Sequence, residues 1–596
     1  VEEIVVKLLT VKSVRFNIED NSRAHHTDEY ALTQKSDGKA ASLVVRRGQP
    51  FDIDIDFDRA FDEEKEDLKL IFATGKFPSI TNATKVEIIL SKEDMPGKWG
   101  AAIKEKNGQT IKLKIFTPPD CYVGKWCFQV RAFSKTPMPD KPPVCKVYAH
   151  SPLLYILFNP WCKDDQVYHH DKDLLEEYVL NESGRIFIGG KRSIYSRVWD
   201  FGQFENPVLD CILGLFDQKN FRMEYRGDPV KIVRRLTSLV NSNDNDGIVV
   251  GNWSGEYQDG TSPCDWASSV DVMKTYCVTK EPVCFGQCWV FSAILTTCCR
   301  ALGIPARSVT NFDSAHDTDG SMTIDRFFDE KYGYNEELST DSIWNFHVWN
   351  DAWMARPDLN DKDYGGWQAC DATPQETSDG IYSCGPCPLL AIKRGEVDVK
   401  YDAAFIFAEV NGDVVEWTQS FDGSMSKKIK ENKVGFNIST KRPACLPKHK
   451  WCPGDPTHDE EWQDITSEYK YTEDPAAERA AVLRANQHST RRDIYDKPEE
   501  GCEAPGIVTL GEKFQVEVSF TNPLPTSLTG TGLTVHGPGE RLVSKYKPGL
   551  VANNETFEYQ VDIIPQKRGK RSFTILFNSK ELTNITGLCV VEVKNA

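Results

Sequence analysis

Apolar and polar residues alternate along both ends of this chain, and that period of two constrains its fold more than any other feature. In Phe51-Asp-Ile-Asp-Ile-Asp-Phe57 and Ile111-Lys-Leu-Lys-Ile-Phe116 every second side chain is apolar, which gives each strand one hydrophobic face. Gly, Pro and Asp punctuate the runs, as turns between antiparallel strands require. Residues 1–150 therefore predict an antiparallel β-sandwich. The pattern returns in Phe514-Gln-Val-Glu-Val-Ser-Phe520 and Phe573-Thr-Ile-Leu-Phe577, so residues 506–596 predict a second β domain. Over 151–485 strands mix with helices, the clearest being an apolar helical run after Cys288 that Gly303 and Pro305 stop. The stretch 486–505 is charged, has no apolar period and reads as a linker. The expectation is a multidomain α+β protein, as a chain of 596 residues demands.

Charge removes some partners. With 71 basic against 88 acidic side chains the net charge is -17, the wrong sign for nucleic-acid backbones or anionic lipid, while cations fit it. Apolar stretches such as Ser151-Pro-Leu-Leu-Tyr-Ile-Leu-Phe158 fall short of the roughly 18 residues a membrane span needs. The N-terminal Val-Glu-Glu-Ile-Val-Val lacks the features of a signal peptide, so a cytoplasmic protein, or one released by an unconventional route, is expected. The 18 cysteines are too sparse for a disulfide scaffold and are expected to be mostly buried free thiols.

Three segments carry chemistry. In Phe285-Gly-Gln-Cys-Trp-Val-Phe-Ser-Ala293 a cysteine stands where the helical pattern begins. Unpaired N–H groups and the helix dipole favour an anion there, so Cys288 is a candidate nucleophile. His347, in the strand-like Ile343-Trp-Asn-Phe-His-Val-Trp-Asn350, is the candidate base, and Asp371, ending the short strand in Gly366-Trp-Gln-Ala-Cys-Asp-Ala-Thr-Pro374, is the candidate orienter of its imidazole. Each taken singly is also what a buried thiol, a structural histidine or a turn-forming aspartate looks like. The order Cys, His, Asp fits a papain-like protease as well as an acyl transferase.

Those blocks, with Gly251-Asn-Trp-Ser-Gly255, Phe158-Asn-Pro-Trp-Cys162 and Pro305-Ala-Arg-Ser-Val-Thr-Asn-Phe312, resemble the active-site and core segments of the animal transglutaminases. The resemblance implies an immunoglobulin-like β-sandwich, a papain-like α+β catalytic core and a C-terminal immunoglobulin-like β-barrel. It implies a calcium-dependent protein-glutamine γ-glutamyltransferase acting on glutamine- and lysine-bearing proteins and small primary amines. Cys288, His347 and Asp371 take the roles given above, Trp253 maps onto an indole that donates to the oxyanion, and Trp344 maps onto a wall of the acceptor channel.

Calcium is also argued by residue type. Asp317-Thr-Asp-Gly-Ser-Met-Thr323 offers side-chain oxygens at every second position, a pattern suited to a hard cation. By resemblance Asp317, Asp319, Ser321 and Thr323 form one site, closed by Asp341. Asn411, Asp413, Glu473 and Glu478 form a second. Ser238, Asn241 and Asn243 form a third, whose acid is Asp244 or Asp246. Cys384-Gly-Pro-Cys387 has the spacing of a redox pair but is expected to be a loop without redox function. Family members usually carry two C-terminal barrels, and the segment after 505, which includes His536-Gly-Pro-Gly539, resembles only the second. The first normally brings a tyrosine that covers the nucleophile and basic residues that bind guanine nucleotides, so neither control is expected here. A scaffold that has lost its chemistry is the remaining alternative, and the intact Cys, His and Asp argue against it.

Overall fold

The computed structural model describes residues 8–595 except 36, 37, 39, 136–144, 245, 422–424, 451–453, 492, 493, 496–499, 504, 523, 525, 538–540, 583 and 584. The first six residues of the chain, parts of the charged linker and parts of the His536 segment thus lie outside the described residues. Among the described residues no helix is long and apolar enough to cross a membrane.

At the N-terminal end, ten strands between Val11 and Leu157 form a twisted, mostly antiparallel sheet system folded on itself. The alternation does what the pattern requires: Phe51, Ile53, Ile55 and Phe57 are buried, as are Ile111, Leu113 and Ile115 on the strand paired with them. Two arginines seal this sandwich against the rest of the chain. Arg46 donates to the carbonyls of His25 and Phe158, and Arg47 forms a fully buried ion pair with Asp165, Nε to Oδ2 2.7 Å, while donating to the carbonyls of Cys121 and Gly227. Buried charges are tolerated here because every donor of the Arg47 fork has an acceptor.

The elements that build the centre follow in order: β1 (Val249–Gly251), β2 (Val283–Gly286), α1 (Cys288–Leu302), β3 (Ala306–His316), β4 (Thr323–Asp329), β5 (Ser342–Met354) and β6 (Gly366–Asp371). Next come β7 (Cys384–Pro388), α2 (Ala403–Asn411), β8 (Asp413–Gln419), β9 (Phe436–Lys441), β10 (Trp462–Asp464) and α3 (Pro475–Asn486). An antiparallel sheet in the order β7-β6-β5-β3-β9-β10 packs on α1, which is buried along its whole length. The helix begins at Cys288 and ends as the sequence predicts, with Gly303 in the left-handed region at φ 89°. A Cβ there would also stand 2.5 Å from the Phe158 carbonyl oxygen, so glycine is required twice over. Donors inside this layer are satisfied locally: the Asn350 NH₂ donates to the Ser292 carbonyl and to Thr296 Oγ1, and Ser292 Oγ donates to the Trp349 carbonyl.

Cys384–Pro388 is a strand, β7, and not the expected loop. Asp371 of β6 pairs with Cys384, and all five residues are buried, so the Cys-Gly-Pro-Cys spacing serves a sheet edge. Cys370, Cys384 and Cys387 are free, and burial pushes all three thiols well above the usual range.

Beyond α3, residues 500–595 form a three-stranded and a five-stranded sheet around one apolar core that includes Val516, Val518, Phe520, Ile575 and Val591. Only residues 487–499 separate α3 from these strands. Part of that segment is docked rather than free. Ser489 Oγ donates to the Ser321 carbonyl and Arg491 faces Asp319 and Asp325, because a linker cation lies beside an acidic cluster. The molecule has the expected class: N-terminal immunoglobulin-like sandwich, α+β core, C-terminal immunoglobulin-like domain.

Candidate active site

Strand register brings the candidate residues together. β1 and β2 pair in parallel with Gly251 opposite Gly286, so Trp253 and Cys288, each two residues further on, leave the same end of the pair. A Cβ on Gly251 would stand 2.6 Å from the Trp253 ring, so glycine is what lets the indole fold back, where it stacks on Phe291 at 6.3 Å. Trp253 stays 46% exposed, whereas Cys288 is only 3% exposed. Gln287 lies in extended backbone before the helix, and its side-chain amide donates to the Asn252 carbonyl and the Tyr257 hydroxyl, tying the nucleophile's turn to the Trp253 loop.

His347 of β5 and Asp371 of β6 meet across neighbouring strands, Nε2 to Oδ2 2.7 Å, both buried. Nε2 is thereby taken, and Nδ1 has no oxygen or nitrogen partner. Cys288 is among the groups that act on the ring, and Nδ1 is the nitrogen left to exchange a proton with its thiol. Burial disfavours the charged imidazole, but the charge and hydrogen bond of Asp371, with Cys288 and Glu409, hold its pKa well above 6.5. A thiolate and an imidazolium held by a carboxylate can attack an acyl carbon and then protonate a leaving amine. Trp344 meets the imidazole edge-to-face at 5.3 Å and closes one side of the site.

Two groups that the sequence did not single out stand in the same cluster. Glu409, on the apolar helix α2, places Oε1 3.8 Å from His347 Nε2, and burial together with Asp371 pushes it up to about 8. Gln375 places its side-chain nitrogen 3.0 Å from Asp371 Oδ2 and 3.2 Å from Glu409 Oε1. The signal for Glu409 was a lone acid in Ala403-Ala-Phe-Ile-Phe-Ala-Glu-Val-Asn411.

Of the three calcium sets, one converges. Asp317, Asp319 and Asp341 bring carboxylate oxygens within 4.8 Å of one another. Asp317 accepts backbone N–H groups of Asp319, Gly320 and Met322, which curls the loop around its carboxylate, and Asp341 accepts the N–H groups of Thr318 and Asp325. Ser321 and Thr323 are buried beside them. Desolvation and the neighbouring acids push Asp317 up to about 7. Crowded acids with buried hydroxyls fit a hard cation, whose charge removes that repulsion. Asp325 belongs with them, buried, with Oδ2 3.3 Å from Arg491. It continues the every-second-position pattern by one step, a signal present in the sequence.

The second set does not converge: the Asp413 carboxylate is turned onto the Arg479 guanidinium and the Tyr495 hydroxyl, and Glu473 is exposed while Asn411 and Glu478 are buried. In the third, Ser238 donates to the Arg235 carbonyl, Asn241 donates to the carbonyls of Thr237, Ala372 and Tyr382, and Asp244 accepts the Tyr382 N–H. Asn243 and Asp246 are exposed. These side chains brace the segment after Asp371 and do not present a shared set of oxygens. As arranged here, the second and third sets do not fit a bound cation.

Comparison with known proteins agrees with this geometry. Residues 12–133 match the family model described as "Transglutaminase family", 253–372 match "Transglutaminase-like superfamily", and 502–595 match "Transglutaminase family, C-terminal ig like domain". The chain is 41% identical over 511 residues to protein-glutamine gamma-glutamyltransferase K of Oryctolagus cuniculus, covering 85% of this chain and 57% of that protein. It is 39% identical over 530 residues to the hemocyte protein-glutamine gamma-glutamyltransferase of Tachypleus tridentatus, covering 86% of this chain and 68% of that protein. The crystal structure of red sea bream transglutaminase superposes with a TM-score of 0.68 at 30% identity, covering 98% of this chain and all of that one. The chain thus spans just over half the length of the gamma-glutamyltransferase K relatives it matches. On family models, relatives and solved structure together, the chain belongs to the transglutaminase family.

Proposed function

We propose that this protein is a calcium-dependent protein-glutamine γ-glutamyltransferase. The observation that carries the reading is the buried constellation at the start of α1: Cys288 at a helix N-terminus, acting on an imidazole whose Nε2 is held by Asp371 at 2.7 Å and whose Nδ1 is left without a partner. The Cys288 thiolate attacks the carboxamide carbon of a glutamine side chain. The oxyanion is met by the Cys288 backbone N–H and the Trp253 indole N–H. His347 gives its proton to the departing ammonia, which leaves a γ-glutamyl thioester on Cys288. A lysine or other primary amine then attacks the thioester, His347 takes its proton, and the thiolate returns as the isopeptide forms. Trp344 walls the acceptor side and limits water, which would otherwise deamidate the glutamine.

Asp317, Asp319, Ser321, Thr323, Asp341 and Asp325 would hold calcium, which when bound compensates their charge and orders the loop between β3 and β4. The sets Asn411, Asp413, Glu473, Glu478 and Ser238, Asn241, Asn243, Asp244 need their side chains re-aimed to serve, Asp413 off Arg479 above all. The same reading divides the chain into a sandwich over 1–150, a core over 151–485, a linker over 486–505, of which Glu500–Glu503 pair into the C-terminal sheet, and a barrel over 506–596. What supports the division is that the N-terminal and C-terminal strands have apolar clusters of their own, the latter joined by Ala480 of α3.

Incorporation of a labelled primary amine into a glutamine-rich protein is expected with millimolar calcium and absent with chelator. Release of peptide fragments without amine incorporation would mean a protease. Asp341→Asn keeps an oxygen for one of the two loop N–H groups, Thr318 or Asp325, and removes a charge. Calcium affinity measured by titration calorimetry is expected to fall by about tenfold or more. An unchanged affinity would place the cation elsewhere.

A further inference from the structure

The hydrogen bonds around Asp371 assign a role to a residue outside the nucleophile, base and acid. We propose that Gln375 is a positioning residue of this site, its amide holding the Asp371 carboxylate on His347 while keeping the Glu409 carboxyl off the same imidazole. This rests on the transferase reading of the site.

Asp371 Oδ1 accepts the Thr373 N–H at 2.7 Å, so only Oδ2 is left for the imidazole. That single oxygen takes two donors, His347 Nε2 at 2.7 Å and Gln375 Nε2 at 3.0 Å. Gln375 reaches back four residues because its own N–H closes a tight turn onto the Thr373 carbonyl at 2.9 Å, with Pro374 between them. Its second amide proton faces Glu409 Oε1 at 3.2 Å. The 2.9 Å approach of Gln375 Nε2 to His347 Nε2 is not a hydrogen bond in the imidazolium state, because that ring nitrogen already donates to Asp371. Two protons and two carboxyl oxygens therefore account for both donors of the amide. The reversed amide would set its carbonyl against both acids, so donor–acceptor counting fixes the orientation.

Glu409 makes the arrangement matter. Its Oε1 lies 3.8 Å from His347 Nε2, within reach of the imidazolium that Asp371 must hold, and the amide of Gln375 stands between the two acids. Glu409 is anchored through its carbonyl by the buried Asn311 amide, so the helix cannot withdraw it. Without the amide, the Asp371 carboxylate and the Glu409 carboxyl oxygen compete as acceptors for one ring N–H, and the ring is drawn off the line that points its other nitrogen at Cys288. The titratable groups facing the imidazole are Cys288 from α1, Asp371 from β6 and Glu409 from α2. Gln375 also borders a cavity of about 280 Å³ lined by Asp317, Asp371, Thr373, Glu376 and Phe405.

The test is the pH dependence of Cys288 alkylation by iodoacetamide, which reports the thiolate held by His347 without any substrate. Gln375→Met keeps the volume and removes both donors, and Gln375→Asn leaves an amide one methylene short. Near pH 6.5 the Gln375→Met rate is expected to fall about tenfold and its acid limb to move to higher pH, with Gln375→Asn between it and the parent. In turnover, kcat falls while KM for the glutamine substrate stays within about twofold, since Gln375 does not touch substrate. A further Glu409→Met change in the Gln375→Met protein is expected to recover part of the alkylation rate by removing the competing acid. A Gln375→Met profile that superposes on the parent at every pH, or a loss confined to KM, overturns the proposal. A parent that shows the thiolate profile but incorporates no amine overturns the transferase reading and leaves the positioning result standing on alkylation.

Discussion

Cys288→Ala is expected to lower amine incorporation by about 10⁴-fold or more while calcium binding stays within about twofold, because the change removes the nucleophile and touches no cation ligand. The neighbouring sulfurs do not share its setting. Cys284, four residues upstream, sits in β2 before the turn, and burial raises its pKa rather than lowering it. Cys298, Cys299 and Cys370 are fully buried, with thiols pushed up by the same desolvation. Among the described residues only Cys288 combines a helix N-terminus with an imidazolium held well above its ordinary pKa. The measurement is mass spectrometry of the enzyme mixed with a glutamine peptide and no amine. The parent is expected to gain the acyl mass on the peptide that carries Cys288, and the variant to gain nothing. An acylated variant would move the nucleophile to another residue and undo the assignment.

The sequence made the nucleophile, base and acid legible because each sits at an element boundary that local chemistry marks. Cys288 opens a helical pattern, His347 lies in a strand, and Asp371 ends one before Ala-Thr-Pro. The strands at both ends were legible because their buried faces obey a strict period of two, as Phe514, Val516, Val518 and Phe520 show. Partners from another element were not legible, since nothing local announces them. Glu409 reads in sequence as one acid on an apolar helix, and its meaning comes from β5 packing beside it. Gln375 reads as part of a turn. The strand Cys384–Pro388 was hidden because Gly and Pro, turn formers in isolation, lie on a sheet edge where β6 supplies the pairing on one side. The calcium sets divided on the same ground: the Asp317 loop is local and could be read almost whole, whereas whether Asp413 is open to a cation depends on Arg479 and Tyr495, 66 and 82 residues further on.

Asp371→Asn is expected to lower kcat by about 10³- to 10⁴-fold with little change in the KM for glutamine substrate. The reason is the proton's address. Asp371 Oδ1 accepts the Thr373 N–H, and an asparagine keeps that bond with its carbonyl oxygen, which turns its NH₂ toward His347 Nε2. Nε2 must then accept, so the neutral ring carries its proton on Nδ1, the nitrogen left for the Cys288 sulfur. A ring already protonated on that side cannot take the thiol's proton, and the thiolate is lost. The same pair leaves a signature in stability. His347 is held well above 6.5 in the folded protein, so its contribution is fully present below about pH 6.5 and is lost as pH rises through the folded value. The thermal stability of Asp371→Asn is therefore expected to fall furthest behind the parent near pH 6 and to approach it in alkaline solution, followed by calorimetry across that range. A deficit that grows with pH would mean that Asp371 stabilises the fold through something other than a charged His347, and the thiolate–imidazolium pair would lose its support.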